Sequence, residues 1–190
     1  MKKIYIFGIT GFLAVLAVLS IFSFRQTDDA GTTAISQNNP SSTMKISSES
    51  FQDGGYIPPK FTADGEKINP RLLIEGVPQT AKSLALIVDD PDAPSGTFIH
   101  WTVWNISPAV AEIAENSVPA QAVQGITSDG EPGYVPPAPP NGTHRYFFKI
   151  YALDTELDLD ESARISDLIS AMEGHTIDKA ELVGLYSRNN

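Results

Sequence analysis

Four short runs of β-branched, aromatic and aliphatic residues limit what this chain can fold into. Each run is bounded by Pro, Gly or Asp, which is typical of β-strands, and together they cover Leu72–Glu75, Ser83–Asp89, Ile99–Ile106 and Tyr146–Leu153. The block 44–190 that contains them also holds 13 Pro and 11 Gly. Few of its segments keep a helical period, so the block is predicted to be mainly β.

Helices are predicted only near the end of the chain. Four apolar residues recur at helical spacing within 162–172, namely Ile165, Leu168, Ile169 and Met172. Ser162 fits an N-cap and Gly174 a helix stop, and a second short helix is predicted at Lys179–Leu185. Because no strand–helix alternation requires a parallel sheet, we expect a sandwich of two antiparallel sheets with flanking short helices.

Two of the runs carry further information about their surroundings. Residues 83–88 are almost continuously apolar, as expected for a strand covered on both faces. Strict alternation in the next run predicts that His100, Thr102 and Trp104 share one face. The other face would then carry three apolar side chains, those of Ile99, Trp101 and Val103.

The N-terminal segment predicts export. After Met1, Lys2 and Lys3, residues 4–24 carry no charge and 16 of the 21 are apolar, enough for a helix of about 31 Å. Residues 1–24 are therefore a membrane anchor, which the length favours, or a cleaved signal peptide. The two lysines predict that the following domain faces outward, anchored in the membrane or, in the alternative, secreted after signal cleavage.

Composition separates the rest of the chain into two parts. Residues 25–43 are polar and are predicted to form a flexible linker, whereas residues 44–190 form the folded domain. That domain has 10 basic and 21 acidic side chains, a balance that argues against nucleic acid as a partner. The absence of Cys excludes disulfides, thiolate catalysis and a lipoprotein attachment site.

The first cluster of candidate functional residues follows the apolar strand. Residues 89–94 contain three carboxylates, Asp89, Asp90 and Asp92, together with Pro91 and Pro94. Proline fixes its own φ and restrains the residue before it, so this loop is stiff and can orient a carboxylate. An ordinary acidic turn is the competing interpretation.

The second cluster is His100 with Trp101. If the strands on either side of the acidic loop pair, His100 lies within reach of Asp90, which could fix the tautomer of the imidazole. A buried histidine that only donates to a backbone carbonyl is the alternative.

The third cluster is a proline-rich loop, 133–142, that leads directly into His144, Arg145 and Tyr146. Alternation places His144 and Tyr146 on one face, where both could donate to one anion, and directs Arg145 away toward a structural carboxylate. A rigid surface loop is the alternative for the prolines.

Taken together, these motifs resemble the phosphatidylethanolamine-binding protein family, and more closely its bacterial Raf-kinase-inhibitor-like branch of the YbhB/YbcL type. The resemblance runs from about Met44 to Arg188. It is carried by the sequences Asp90-Pro91-Asp92-Ala93-Pro94, His100-Trp101 and Pro139-Pro140-Asn141-Gly142-Thr143-His144-Arg145-Tyr146.

The resemblance implies a β-sandwich with a small anion pocket at one end, which binds phosphate-like groups or phospholipid headgroups and uses no cofactor or metal. The pocket residues that it implies are Asp90, Pro94, His100, Pro140, His144 and Tyr146. Two departures leave the pocket width open: Asn69 stands where relatives usually have Ser, and 135–138 replaces a more Gly-rich stretch. Asp90 would hold a histidine tautomer or accept a proton from the ligand.

We therefore expect a binding protein with a regulatory role, whose partners are an anionic ligand, the membrane and a second copy of the chain in a homodimer. The alternative is an enzyme that acts on a phosphoester by acid–base chemistry or through a metal held by two His and a carboxylate. No hydrolase elbow or glycine-rich phosphate loop supports the enzyme. A purely structural domain is the third hypothesis.

Overall fold

The computed structural model describes residues 44–188, which form nine strands, one α-helix and one 3₁₀ turn. The strands are β1 Lys45–Ser47, β2 Gly55–Tyr56, β3 Leu72–Glu75, β4 Ser83–Asp90, β5 Phe98–Ile106, β6 Glu112–Ile113, β7 Val123–Gln124, β8 Thr143–Leu153 and β9 Thr176–Ser187. The 3₁₀ turn is Pro59–Phe61 and the helix α1 is Ile165–Met172. All four predicted runs are strands, although β8 begins three residues earlier than expected and so includes His144.

The described strands form two sheets. The smaller has the order β1-β3-β6, and the larger has the order β2-β9-β8-β4-β5-β7. Neighbouring strands are antiparallel throughout except for the short pair of β2 and β9, which is parallel. The prediction of a mainly β fold with two sheets is confirmed, with this one exception to the antiparallel pairing.

The larger sheet has a hydrophobic core on each face. Between the two sheets, Leu84, Leu86 and Val88 of β4 pack with β8, β9 and the small sheet. On the opposite face, Ala85 and Ile87 pack with residues of α1. Every residue of β4 is buried, which confirms a strand covered on both sides.

The second predicted helix, Lys179–Leu185, is wrong, because this segment is the centre of β9. It pairs antiparallel with β8 along its length. Gly184 shows how tightly the segment packs: a Cβ atom there would lie 2.5 Å from Cγ1 of Ile57. Pairing and packing over a whole strand outweigh the small differences in helix propensity that suggested a helix.

The predicted faces of β5 are right for Trp101, Val103 and Trp104. They are wrong for His100 and for Ile99, which lines the groove beside α1, because the strand contains a β-bulge. Val88 pairs with Trp101 and Asp89 with Ile99, so His100 has no partner on β4. The extra residue changes the alternation. As a result His100 turns toward the same side of the sheet as Trp101, whereas Trp104 belongs to the core beneath α1.

Helix α1 begins three residues after the predicted N-cap. Ser162 instead donates from its hydroxyl to Asp160, 2.5 Å away. Arg164 occupies the N-cap, and its backbone N–H donates to the carboxylate of Asp167 at 2.8 Å. A carboxylate in the first turn is favourable for the helix dipole, which explains why the helix starts here.

The predicted anchor or signal peptide, 1–24, and the predicted linker, 25–43, lie outside the described residues. Within 44–188, none of the helical segments has the length and apolar character needed to cross a membrane.

Replacing Leu168 by Ala should remove the main anchor of α1. Leu168 is fully buried, so the loss of transfer free energy and the cavity should lower the free energy of unfolding by about 2–5 kcal/mol. The control is Ile169→Ala on the same helix, where the side chain is 57% exposed and the change should stay within about 0.5 kcal/mol. Urea denaturation measures both, and equal losses would contradict this packing.

Candidate functional site

A pocket of about 500 Å³ lies at one end of the larger sheet. Because β4 is antiparallel to both β5 and β8, the end of β4 meets the beginnings of its two neighbours there. The structure brings all six predicted site residues into the lining of this pocket: Asp90, Pro94, His100, Pro140, His144 and Tyr146.

Asp90 and His144 form the most buried polar contact of the pocket. Oδ2 of Asp90 lies 2.7 Å from Nδ1 of His144, and the two residues are only 3% and 5% exposed. A carboxylate accepts, so Nδ1 of His144 donates and Nε2 is left to the pocket. The expectation that Asp90 would meet His100 is wrong, because the bulge in β5 places His100 against another acceptor.

An ion pair beside this contact holds the arrangement in place. Asp92 and Arg145 pair through two oxygens and two guanidinium nitrogens, at 2.9 and 2.7 Å, as predicted for an arginine directed away from the pocket. The Arg145 guanidinium lowers the pKa of Asp92 to about 2. The backbone N–H of Asp92 in turn donates to Oδ1 of Asp90 at 2.8 Å, so the acidic loop is tied to the start of β8.

His100 is held by the backbone of the proline-rich loop. Its Nδ1 lies 2.7 Å from the carbonyl oxygen of Val135, and the Val135 N–H donates to the His100 carbonyl at 2.8 Å. The ring packs against Phe98 and, edge to face, against Tyr146, with centroids 4.7 and 5.2 Å away. Burial lowers the pKa of His100 below its ordinary value, although the Val135 carbonyl opposes the shift.

The hydroxyl of Tyr146 is buried beside these rings. Burial first, and then the charge of Asp90, raise the pKa of Tyr146 well above its ordinary value, so the phenol stays protonated. Among residues 44–188 no group accepts a hydrogen bond from this hydroxyl. This donor is therefore available to a ligand.

Sequence reasoning missed several other lining residues. Phe98 could have been found, because it is two residues from His100 in the same strand. Lys67, Ala63 and Asp129 come from loops with no recognisable motif, and the segment of Ala63 reaches the pocket through its N–H bond to the Pro137 carbonyl, 2.9 Å away.

The two departures from the family pattern, Asn69 and the stretch 135–138, differ in their relation to the pocket. Asn69 does not line the pocket. Its side-chain nitrogen donates to the Ala114 carbonyl at 2.9 Å, and its side-chain oxygen accepts from the Ser117 N–H at 3.0 Å. Asn69 thus takes no direct part in the pocket wall, and its effect on the pocket width stays a prediction. Val135, Pro136 and Ala138 do line the pocket, so the second departure does shape it.

A larger groove, of about 920 Å³, runs between α1 and the other face of the large sheet. Its walls are mainly apolar, and its charged contact is the pair of Asp89 and Lys149, 2.6 Å apart. It contains none of the predicted site residues. The smaller pocket is the better candidate because its polar groups converge.

Metal ligation was part of the alternative enzyme hypothesis. Across residues 44–188, no group of three or more His, Cys, Asp or Glu side chains is placed to hold a metal ion.

The fold and the pocket together define a β-sandwich protein with a small polar ligand pocket at one end of its larger sheet. Residues 47–187 match the family model described as phosphatidylethanolamine-binding protein. The chain belongs to this family of ligand-binding proteins, as the sequence resemblance implied.

Relatives agree with this assignment. A UPF0098 protein of Methanothermobacter thermautotrophicus is 49% identical, over 76% of this chain and 99% of its own length. The crystal structure of CT736 from Chlamydia trachomatis, a putative homologue in the same family, has 45% identity and a TM-score of 0.75, covering 78% of this chain and all of CT736. YbcL of E. coli, described as a member of the mammalian PEBP family, has 28% identity and a TM-score of 0.73, covering 77% and 99%.

Stability should depend on pH through His100. The pKa of His100 in the folded chain lies below the ordinary value of 6.5. As the pH falls through about 6.5, His100 is therefore protonated in the unfolded chain before it is protonated in the folded chain. The free energy of unfolding should therefore fall below that pH, by at most about 1.4 kcal/mol per pH unit from this group.

Denaturation of wild type and His100→Gln at several pH values between about 5 and 8 tests this expectation. The variant should show a shallower slope. His175→Gln is the control, since that ring is exposed and lies outside the pocket, and it should keep the wild-type slope. Identical slopes in wild type and His100→Gln would contradict the assignment.

Proposed function

We propose that this protein is a binding protein whose pocket holds a phosphate-like anionic group. The observation that carries the proposal is the convergence of two buried imidazoles and one protonated phenol in one small pocket. The Nε2 atoms of His100 and His144 have no partner within residues 44–188, and both residues line the pocket. These groups are therefore available for a ligand.

The donors must act locally, because the domain as a whole is acidic. Tyr146 donates through its hydroxyl, and His144 donates from Nε2 when its ring is protonated, with Nδ1 already held by Asp90. Lys67 is the lysine that lines the pocket, and it adds a positive charge there. Short-range hydrogen bonds of this kind work in a desolvated pocket even where the net charge is unfavourable.

The size of the pocket limits the ligand. A volume of about 500 Å³ suits a small molecule or a lipid headgroup, but not the acyl chains of a lipid. A phospholipid would thus be bound by its headgroup, as the sequence resemblance implies.

We also propose that residues 4–24 attach the domain to the outer side of a membrane. The proposal rests on the 21 uncharged residues and on Lys2 and Lys3 before them. Deletion of residues 2–24 should move the protein from the membrane fraction to the soluble fraction.

The homodimer expected from the sequence stays a prediction.

An enzyme is the second candidate, favoured by one observation. The buried pair of Asp90 and His144 has the geometry of a base held by a carboxylate. Turnover of a phosphoester that is lost in His144→Ala would support this candidate over simple binding.

Phosphate titration followed by NMR of the histidine rings tests the binding proposal. Wild type should show saturable shifts at His100 and His144 between about pH 5 and 8, because both rings face the pocket. His144→Ala should weaken binding by roughly tenfold or more, through the loss of a hydrogen bond to a charged group. His175→Ala, a histidine outside the pocket, should bind as wild type, and the absence of shifts at both pocket rings would refute the proposal.

A further inference from the structure

The tautomer of His100 is determined by a backbone contact. A carbonyl oxygen can only accept, so the proton of the neutral ring must lie on Nδ1, which is 2.7 Å from the Val135 oxygen. The reciprocal bond, from the Val135 N–H to the His100 carbonyl at 2.8 Å, keeps the two residues together. Nε2 of His100 is consequently a lone-pair acceptor that faces the pocket.

The surroundings keep this nitrogen an acceptor. His100 is only 5% exposed, and the rings of Phe98 and Tyr146 pack against it. Burial disfavours a second proton on the ring, as the lowered pKa of His100 indicates. A ligand that fills the pocket meets an acceptor here, with the carboxylate of Asp90 also in the lining.

The acceptor has consequences for the ligand, because an oxyanion without a proton offers only lone pairs. Such a ligand would place acceptor against acceptor at His100 and would also face the charge of Asp90. A phosphomonoester with one proton has a P–OH group that can donate, whereas a phosphodiester has none. Polar sites discriminate strongly against ligands that leave a buried group unpaired.

We propose that the pocket selects the singly protonated form of a phosphomonoester over a phosphodiester, with Nε2 of His100 accepting the hydrogen bond of the P–OH group. This selection rests on the proposed function, the binding of a phosphate-like group in the same pocket. It predicts that a headgroup joined through a phosphodiester, such as that of phosphatidylethanolamine, binds there more weakly than a phosphomonoester. In this role His100 determines specificity, while Tyr146, and His144 when its ring is protonated, supply the donors for the remaining oxygens.

Two small probes isolate the proposed donor. Methylphosphonate and dimethylphosphinate have similar sizes and carry one negative charge each near pH 6.5, but only the first has a P–OH group. Wild type should bind methylphosphonate about tenfold more tightly or better, a difference of about 1.4 kcal/mol. Equal affinities would overturn the selection and leave the proposed function intact, whereas no binding of either probe, nor of phosphate, would refute both.

The variant His100→Gln assigns the selection to this residue. Its amide can turn an N–H toward the ligand, so the ratio of the two affinities should fall toward one. His175→Gln should keep the wild-type ratio, and a folded His100→Gln that also keeps it would overturn the role of His100. The comparison of probes on wild type remains decisive if the variant does not fold.

The phosphomonoester could belong to a soluble molecule or to a lipid, and matched pairs distinguish the two sources. The soluble pair is glycerol 3-phosphate and glycerophosphoethanolamine. The lipid pair is phosphatidylcholine vesicles with and without about a tenth of phosphatidic acid. Both are measured at a salt concentration high enough to screen the surface charge of the vesicles. Either source supports the selection if its monoester binds at least about tenfold better, and equal binding within both pairs overturns it.

Discussion

The burial of β4 on both faces is the constraint on which this structure depends. Eight consecutive residues, Ser83–Asp90, lie between the small sheet and α1, so the strand has no solvent-facing side that could tolerate a shift in register. Its neighbours β5 and β8 are aligned by the same pairing. The last residue of the strand, Asp90, is therefore delivered to a defined position beside the start of β8, where it meets His144.

Two loops complete the pocket next to this strand, and an ion pair and hydrogen bonds hold both loops in place. The pair of Asp92 and Arg145 ties the acidic loop to β8, and the two hydrogen bonds between Val135 and His100 tie the proline loop to β5. The polar groups of the site are thus oriented before any ligand arrives. Such preorganisation reduces the ordering cost of binding, which matters in a domain whose net charge repels anions.

The pattern of the sequence predicted the parts of the fold that follow local rules. The continuous apolar run became β4, and the alternation of His144, Arg145 and Tyr146 correctly separated the pocket face from the face of the ion pair. The predictions failed where contacts between residues far apart in the sequence determine the local structure. Segment 179–185 is a strand because β8 lies beside it.

Within the site, motif residues were predicted and their partners were not. A bulge at His100 changes which acceptor the imidazole meets, and neither the bulge nor the Val135 carbonyl leaves a signal in the residue types. Lys67 reaches the pocket through a loop, where no periodicity applies.

The contact between Val135 and His100 has a consequence for how this pocket can change over evolutionary time. The group that orients the imidazole is a main-chain carbonyl, which every amino acid carries. Replacement of the valine side chain can widen or narrow the cavity without removing that acceptor. The shape of the pocket and the hydrogen bonding of His100 can therefore evolve independently. Side chains of the proline loop can change with the size of the ligand, while His100 keeps its main-chain acceptor.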